Sequence, residues 1–199
     1  MEANPKLLHG RSNLILWVGM IGSQDGVDLL LDAVRILRDE LGCDDFHLMV
    51  AGDGPERANL MRYADELQLM QNVSFPGFLS GEQLFEALST ASIGVGSDPK
   101  NNFNDRLAMN KVMEYMAYEL PIAMFDLAEC RKIAGDAALI AENNNPAVLA
   151  LRLKELLENQ ELCVSLGKFG YNRLLAEYTW EIQKETYLAA CRKVLRADK

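Results

Sequence analysis

The chain has 199 residues, 49% of them hydrophobic and 25% charged, with a formal net charge of -9. That length and composition suit one large globular domain with a core of useful size. The acidic balance disfavours a nucleic-acid reader, whose phosphate contacts need a basic surface, but a local pocket of backbone N–H groups and one lysine can still hold a single nucleotide.

Residues 1–12 carry no periodicity and read as a linker or N-terminal tail, so the domain proper is assigned to residues 13–199. Residues 14–18 are continuously apolar, as expected of a strand buried on both faces of a parallel sheet. A glycine-rich loop follows over 19–26, then a helix over about 27–41 whose buried face carries Val27, Leu30, Leu31, Val34 and Leu37. The strand–loop–helix unit recurs with a strand at 46–51, the turn Gly52-Asp53-Gly54-Pro55, where Pro55 suits a helix first turn, and a helix over about 56–67. Residues 73–75 form the next strand, ending in the turn Pro76-Gly77. Ser80 and Gln83 then have the spacing of a capping box at the start of another helix. A fourth strand is expected at 91–96.

The stretch 104–126 reads as a polar loop, a helix and a short strand running from Pro121 to Asp126. Met109, Val112, Met113, Met116 and Ala117 form one apolar helical face, while Asn110, Lys111, Glu114 and Tyr118 cluster on another. A lysine and a carboxylate one turn apart near a helix N-terminus suit a ligand carrying both phosphate and sugar hydroxyls. The same spacing also describes a pair that bridges itself on a solvated face. Residues 137–141 add an edge strand, and helices over about 146–158, 161–176 and 180–195 form a C-terminal cover packed on the sheet.

Alternating β and α elements with buried-type strands predict an α/β fold: a single Rossmann-like parallel sheet of about six strands, with helices on both faces and right-handed crossovers. Ligands of such a sheet bind outside the carboxyl ends of its strands, so the candidate loops are 19–26, 52–55, 76–80, 97–105 and 126–135. Gly19, Gly22 and Gly26 can bring backbone N–H groups close to a phosphate. The loop is not GxGxxG, which argues against a nicotinamide-dependent enzyme. Cys43, Cys130, Cys163 and Cys191 are scattered, as buried thiols of a reducing compartment would be. His9 and His47 lack the spacing of metal ligands. No secretory pattern and no apolar run of about 18–20 residues is present, from which a soluble, cytoplasmic protein is expected.

The strand leading to Gly19, then Asp25-Gly26-Val27-Asp28-Leu29-Leu30, Ala51-Gly52-Asp53-Gly54-Pro55, Val73-Ser74-Phe75-Pro76-Gly77, Lys111-Val112-Met113-Glu114-Tyr115-Met116-Ala117 and Pro121-Ile122-Ala123 follow one another in an order that resembles a known family. It is similar to the C-terminal, donor-binding half of GT-B glycosyltransferases, specifically family 4 (glycosyl transferases group 1), retaining enzymes that use nucleotide sugars. Tyr178-Thr179-Trp180-Glu181 resembles that family's closing segment.

The resemblance implies roles for matching positions. Glu114 corresponds to the carboxylate that accepts hydrogen bonds from the nucleotide ribose hydroxyls, a task suited to an acceptor-only group. Gly19, Met20 and Gly22, with Gly52 beside them, resemble the loop that approaches the pyrophosphate, and Phe78 and Leu79 fall where the family cradles the base. Lys111 fits a subgroup with Lys-x-x-Glu-Tyr in this helix; with Asn110 it would face the donor phosphates or sugar. Three positions depart from the pattern. Met20 and Asp25 stand where the family carries an arginine and a lysine, and Arg106 where it carries the first glutamate of a pair. Negative charge builds on the departing diphosphate, so Arg106, Lys111 or Lys100 is the expected replacement cation, with Lys111 and Arg106 the catalytic candidates.

The donor implied is a UDP- or GDP-sugar, with no cofactor and no obligatory metal. The acceptor-holding N-terminal domain of the family is missing and would be supplied in cis or as a partner chain. Alone, the chain is expected to bind donor weakly and to transfer little or nothing. The full enzyme would move a hexose-type sugar to a glycan or lipid-linked acceptor, as in polysaccharide biosynthesis, with peripheral association at the inner face of a membrane. The three departures equally suit a second reading, a degenerate, non-catalytic sugar-nucleotide-binding or assembly module.

Overall fold

In this computed structural model, which describes residues 3–197, the strands are β1 (Asn13–Val18), β2 (Phe46–Ala51), β3 (Val73–Gly77), β4 (Ile93–Gly96), β5 (Ile122–Phe125) and β6 (Ala138–Ala141). They form one parallel sheet in the order β3-β2-β1-β4-β5-β6, as the alternation of elements predicts.

Successive side chains of a strand point to opposite faces, so an apolar run needs cover on both sides. Ile15, Trp17, Phe46, Leu48 and Val50 face one core, closed by α1 (Val27–Asp39), α2 (Arg57–Glu66) and α6 (Pro146–Glu158). Leu14, Leu16, Met49 and Ala51 face the other, closed by α3 (Glu82–Thr90), α4 (Asn110–Ala117) and α5 (Ala128–Ala134). The stripe read from the sequence of α1 is buried throughout, and each such side chain contributes about 1.5–3 kcal/mol relative to exposure. The helix α7 (Gln160–Glu177) packs against α4 and α6.

From β1 the chain builds outward through β2 and β3, then returns to the other side of β1 to lay down β4, β5 and β6. The order therefore reverses between β1 and β4, and ligands of open α/β sheets sit at such a point. The two strands pair only at Ile15 with Ile93 and Leu16 with Gly94, and beyond that Tyr115 fills the gap. Its hydroxyl accepts the Val18 N–H (3.1 Å) and donates to the Val95 carbonyl (3.2 Å). The Tyr115 ring lies directly over Gly94, where any Cβ would overlap it.

Three local expectations are corrected. The Ser80–Gln83 capping box does not form: Gly81 (φ 52°) is the N-cap, with no side-chain cap, and Ser80 offers its backbone carbonyl to Gln83 N–H (3.2 Å). The positive φ at Gly81 starts the helix one residue later than the motif assumes. Within the stretch read as a linker or tail, residues Pro5–Leu8 form a 3-10 turn, with Asn4 Oδ1 accepting from Lys6 N–H and Asn4 N–H donating to Thr90 Oγ1 (2.8 Å). Leu7 and Leu8 pack on the α3 side, which docks this segment to the sheet. On α4 the buried stripe is Lys111, Val112, Tyr115 and Met116, while Ala117 is exposed, because Lys111 and Tyr115 find polar partners inside. Finally, α6 and α7 cover the sheet but α8 (Trp180–Ala197) does not: Trp180, Tyr187, Val194 and Leu195 are all exposed.

Among the described residues no helix is long and apolar enough to cross a membrane, and no group of His, Cys, Asp and Glu is arranged to hold a metal ion.

Candidate functional site

Lys111, the second residue of α4, sends its side chain across the carboxyl ends of β4 and β1. Its Nζ donates to Asp98 Oδ2 at 2.9 Å, with side-chain exposures of only 9% and 3%. The same Nζ lies 4.3 Å from the centroid of the Trp17 ring and 3.5 Å from where a Cβ on Gly19 would stand. An ammonium is thus fixed at the floor of the switch-point crevice by a carboxylate and an aromatic face. The bridge between Lys111 and Glu114 that helical spacing allows is not made, because Lys111 is committed to Asp98. Glu114 is half-buried and its carboxyl is pushed up by burial, with Lys111 pulling the other way. No described residue hydrogen-bonds to its side chain, so its oxygens stay available as acceptors one helical turn from the ammonium.

The glycine loop after β1 is laced to its neighbours. Gly19 N–H donates to the Ala51 carbonyl (3.1 Å), Ile21 N–H to Asp53 (3.0 Å) and Gly52 N–H to Gly77 (2.9 Å). A Cβ on Gly52 would overlap the Gly19 carbonyl, so this glycine is required for the loops to touch. Further along, Gly22 N–H donates to Asp25 Oδ2 at 2.7 Å. The N–H groups of Gly19, Gly22 and Gly52 are therefore already engaged within the chain, and these glycines act here through close backbone approach.

Asp25 is held from both sides. Ser97 Oγ, fully buried, donates to the Asp25 carbonyl (2.9 Å), and the buried Asn104 amide donates to the Gln24 carbonyl (2.9 Å). Gly26 (φ 63°) follows against the Ser97 carbonyl, where a side chain would clash. Burial pushes the Asp25 carboxyl above its ordinary range; the Gly22 N–H lowers it, Asp98 raises it and Lys111 lowers it.

The remaining candidates lie around the rim. Met20 (69% exposed) and Phe78 (76% exposed) project into solvent, Asn110 is exposed and Leu79 is half-buried against the α3 side. Of the three expected replacement cations, Lys111 is spent on Asp98, and Lys100 lies 3.6 Å from both Asp105 and Asp126. Arg106, at the end of the 3-10 turn Asn104–Arg106, is exposed and makes no ion pair with a described residue. A groove of about 380 Å³ flanks the loop on its α1–α2 side, but Asp28 and Glu56 line it and make it unsuited to a phosphate.

The sequence puts Ser97, Asp98 and Asn104 in a candidate ligand loop and Tyr115 in the Lys-x-x-Glu-Tyr motif, but it gives none of them, nor Trp17, a role. Asp98 and Lys111 are thirteen positions apart, a distance no helical or strand period connects. For Tyr115 a signal existed: Gly94 and Gly96 inside a strand mark a close approach by another group.

Residues 2–173 match the family described as glycosyl transferases group 1. An uncharacterized glycosyltransferase of Methanocaldococcus jannaschii is 26% identical over 182 residues, which is 89% of this chain and 48% of that protein. The chain thus spans about half the length of this curated relative. In fold it is similar to sucrose-phosphate synthase from Thermosynechococcus elongatus (TM-score 0.80, 19% identity, 96% of this chain and 47% of that one). It is also similar to the C-terminal domain of a glycosyl transferase group 1 family protein from Francisella tularensis (TM-score 0.70, 17% identity, 85% and 88%). With the switch-point crevice, the laced glycine loops and the family match along most of its length, the chain belongs to the glycosyl transferases group 1 family.

Proposed function

We propose that this chain is the nucleotide-sugar-binding domain of a retaining GT-B glycosyltransferase that moves a hexose-type sugar from UDP or GDP to a glycan or lipid-linked acceptor. The observation that carries the reading is Glu114: a half-buried carboxylate with no described partner, one turn from a fixed ammonium, beside the switch point of a parallel sheet. A carboxylate there accepts hydrogen bonds from both hydroxyls of a ribose, and in a half-buried site these charge-assisted bonds are strong. In the transfer the bond between the sugar C1 and the diphosphate oxygen breaks while C1 bonds to the acceptor hydroxyl oxygen, whose proton passes to the departing diphosphate, and the charge building on the diphosphate needs nearby cations. Lys111 is neutralised by Asp98 on the floor, so Arg106, the rim cation without a described partner, is the group left to meet that charge.

The exposed stripe of α8 and the half-length match to relatives support a further domain as partner. Titrating UDP and GDP by calorimetry tests the reading. Glu114→Ala is expected to remove the affinity that depends on the ribose hydroxyls, and a chain that binds neither nucleotide overturns it. The second reading, a non-catalytic binding module, is favoured by Asp25 in a position suited to a cation. Joining the chain to an acceptor-binding domain and finding donor binding without transfer would select it.

A further inference from the structure

The β1–α1 loop carries a feature that a phosphate-binding loop does not need. Asp25 Oδ2 sits 2.7 Å from the Gly22 nitrogen and takes its N–H, immediately before a 13-residue helix whose N-cap, Gly26, provides no side-chain cap. Anions bind at glycine loops of this kind because backbone N–H groups and the helix N-terminus face them. Here a carboxylate of the chain itself holds that place. Ser97 and Asn104 pin the loop backbone on either side of it, so the placement is not the wandering of a loose side chain.

We infer that Asp25 sets the preference of this site between the two ends of a donor: its carboxylate, fixed on the Gly22 N–H beside Asp98, places a negative charge where a diphosphate would approach, and so weakens binding of the diphosphate while leaving the nucleoside end untouched. The inference rests on the donor-binding reading. Lys111 does not cancel the effect, because Asp98 already neutralises it at 2.9 Å; Asp25, Asp98 and Lys111 together carry one net negative charge. A diphosphate entering the crevice meets like charge. The ribose, recognised through Glu114 on α4, meets neither obstacle. That makes Asp25 a specificity residue of the loop.

The test is calorimetry on the whole chain with four probes, uridine, guanosine, UDP and GDP, comparing the wild type with Asp25→Asn and Asp25→Glu. Asn keeps an acceptor oxygen for Gly22 N–H and removes only the charge, whereas Glu keeps the charge. The expected result is that Asp25→Asn tightens the preferred nucleoside diphosphate by about tenfold or more, that Asp25→Glu does not, and that nucleoside affinity is the same in all three. Should Asp25→Asn not fold, as judged by its circular dichroism melt, Asp25→Ser makes the same comparison. Nucleoside binding that persists while the uncharged variant leaves diphosphate affinity unchanged or weaker overturns the inference and leaves the donor reading standing. If no variant binds any of the four probes, the donor reading fails and this inference with it.

Discussion

Lys111 and Asp98 form a 2.9 Å ion pair across the carboxyl ends of β1 and β4, in a place that almost no water reaches. Taking two charges out of water costs several kcal/mol, which their attraction offsets only while both are present. Asp98→Ala leaves the ammonium buried beside Trp17 and is expected to lower the unfolding free energy by about 3–5 kcal/mol. Adding Lys111→Met to it, which removes the stranded charge and fills the space with an apolar side chain, should recover most of that loss. Denaturant unfolding of both variants checks this. Additive losses in the double variant would show that the two groups do not act as a pair.

Tyr115 is the second tie across the same gap. Its hydroxyl satisfies one part-buried N–H on β1 and one buried carbonyl on β4, and Tyr115→Phe leaves both without this partner. An unfolding loss of roughly 1–3 kcal/mol is expected. Gly94→Ala should cost at least as much, because the added methyl meets the Tyr115 ring and the packed strand has nowhere to shift. Hydrogen exchange at Val18 provides the local readout: its amide should lose protection in Tyr115→Phe before the rest of β1 does.

The sheet was legible because each buried strand is a short apolar run ended by glycine or a polar turn, and α1 repeats its apolar residues at helical spacing. Glu114 and Lys111 were legible as a pair from the helix alone. Their actual arrangement was not: Lys111 turns inward to Asp98, and nothing local in the sequence links a loop aspartate to a helix lysine thirteen residues on. Ser80 and Gln83 had the right types and spacing for a capping box. The left-handed Gly81 between them decided where the helix starts. Elements follow periodicities within a segment, whereas the site is made by side chains that meet only after the sheet has formed.

His47 gives the domain a predictable acid sensitivity. It is buried on β2, its Nε2 lies 2.8 Å from Ser74 Oγ, its Nδ1 has no partner among the described residues and its ring stacks on His9 at 4.0 Å. Burial, with the charges of His9 and Arg11 adding to it, lowers its pKa from 6.5 to about 4. A depressed basic group means that the unfolded chain binds the proton more readily than the folded one. The stability contribution is therefore complete above pH 6.5 and is lost as the pH falls toward about 4. The loss should be on the order of 2 kcal/mol, allowing for solvent screening. Urea unfolding at several pH values should show this slope in the wild type and a flatter one in His47→Phe; equal slopes would remove His47 as the cause.

The last helix makes a prediction about the assembled protein. Trp180, Tyr187, Leu188, Cys191, Val194 and Leu195 recur at the spacing of one helical face, and Tyr187, Val194 and Leu195 are 61%, 64% and 71% exposed. An apolar stripe of this length costs free energy in water and contributes nothing to the two cores of the sheet. Changing Val194 and Leu195 together to Lys should therefore leave the unfolding free energy of the domain within about 0.5 kcal/mol, since neither side chain packs in a core. The isolated wild-type chain should self-associate at concentrations where this variant sediments as a monomer. On the proposed reading of a two-domain enzyme, with an acceptor-binding domain supplied as a separate chain, the same two changes should weaken its capture in a pull-down. A variant that unfolds more easily would place α8 in the domain core instead, and one that captures the second domain as well as the wild type would remove this stripe from the interface.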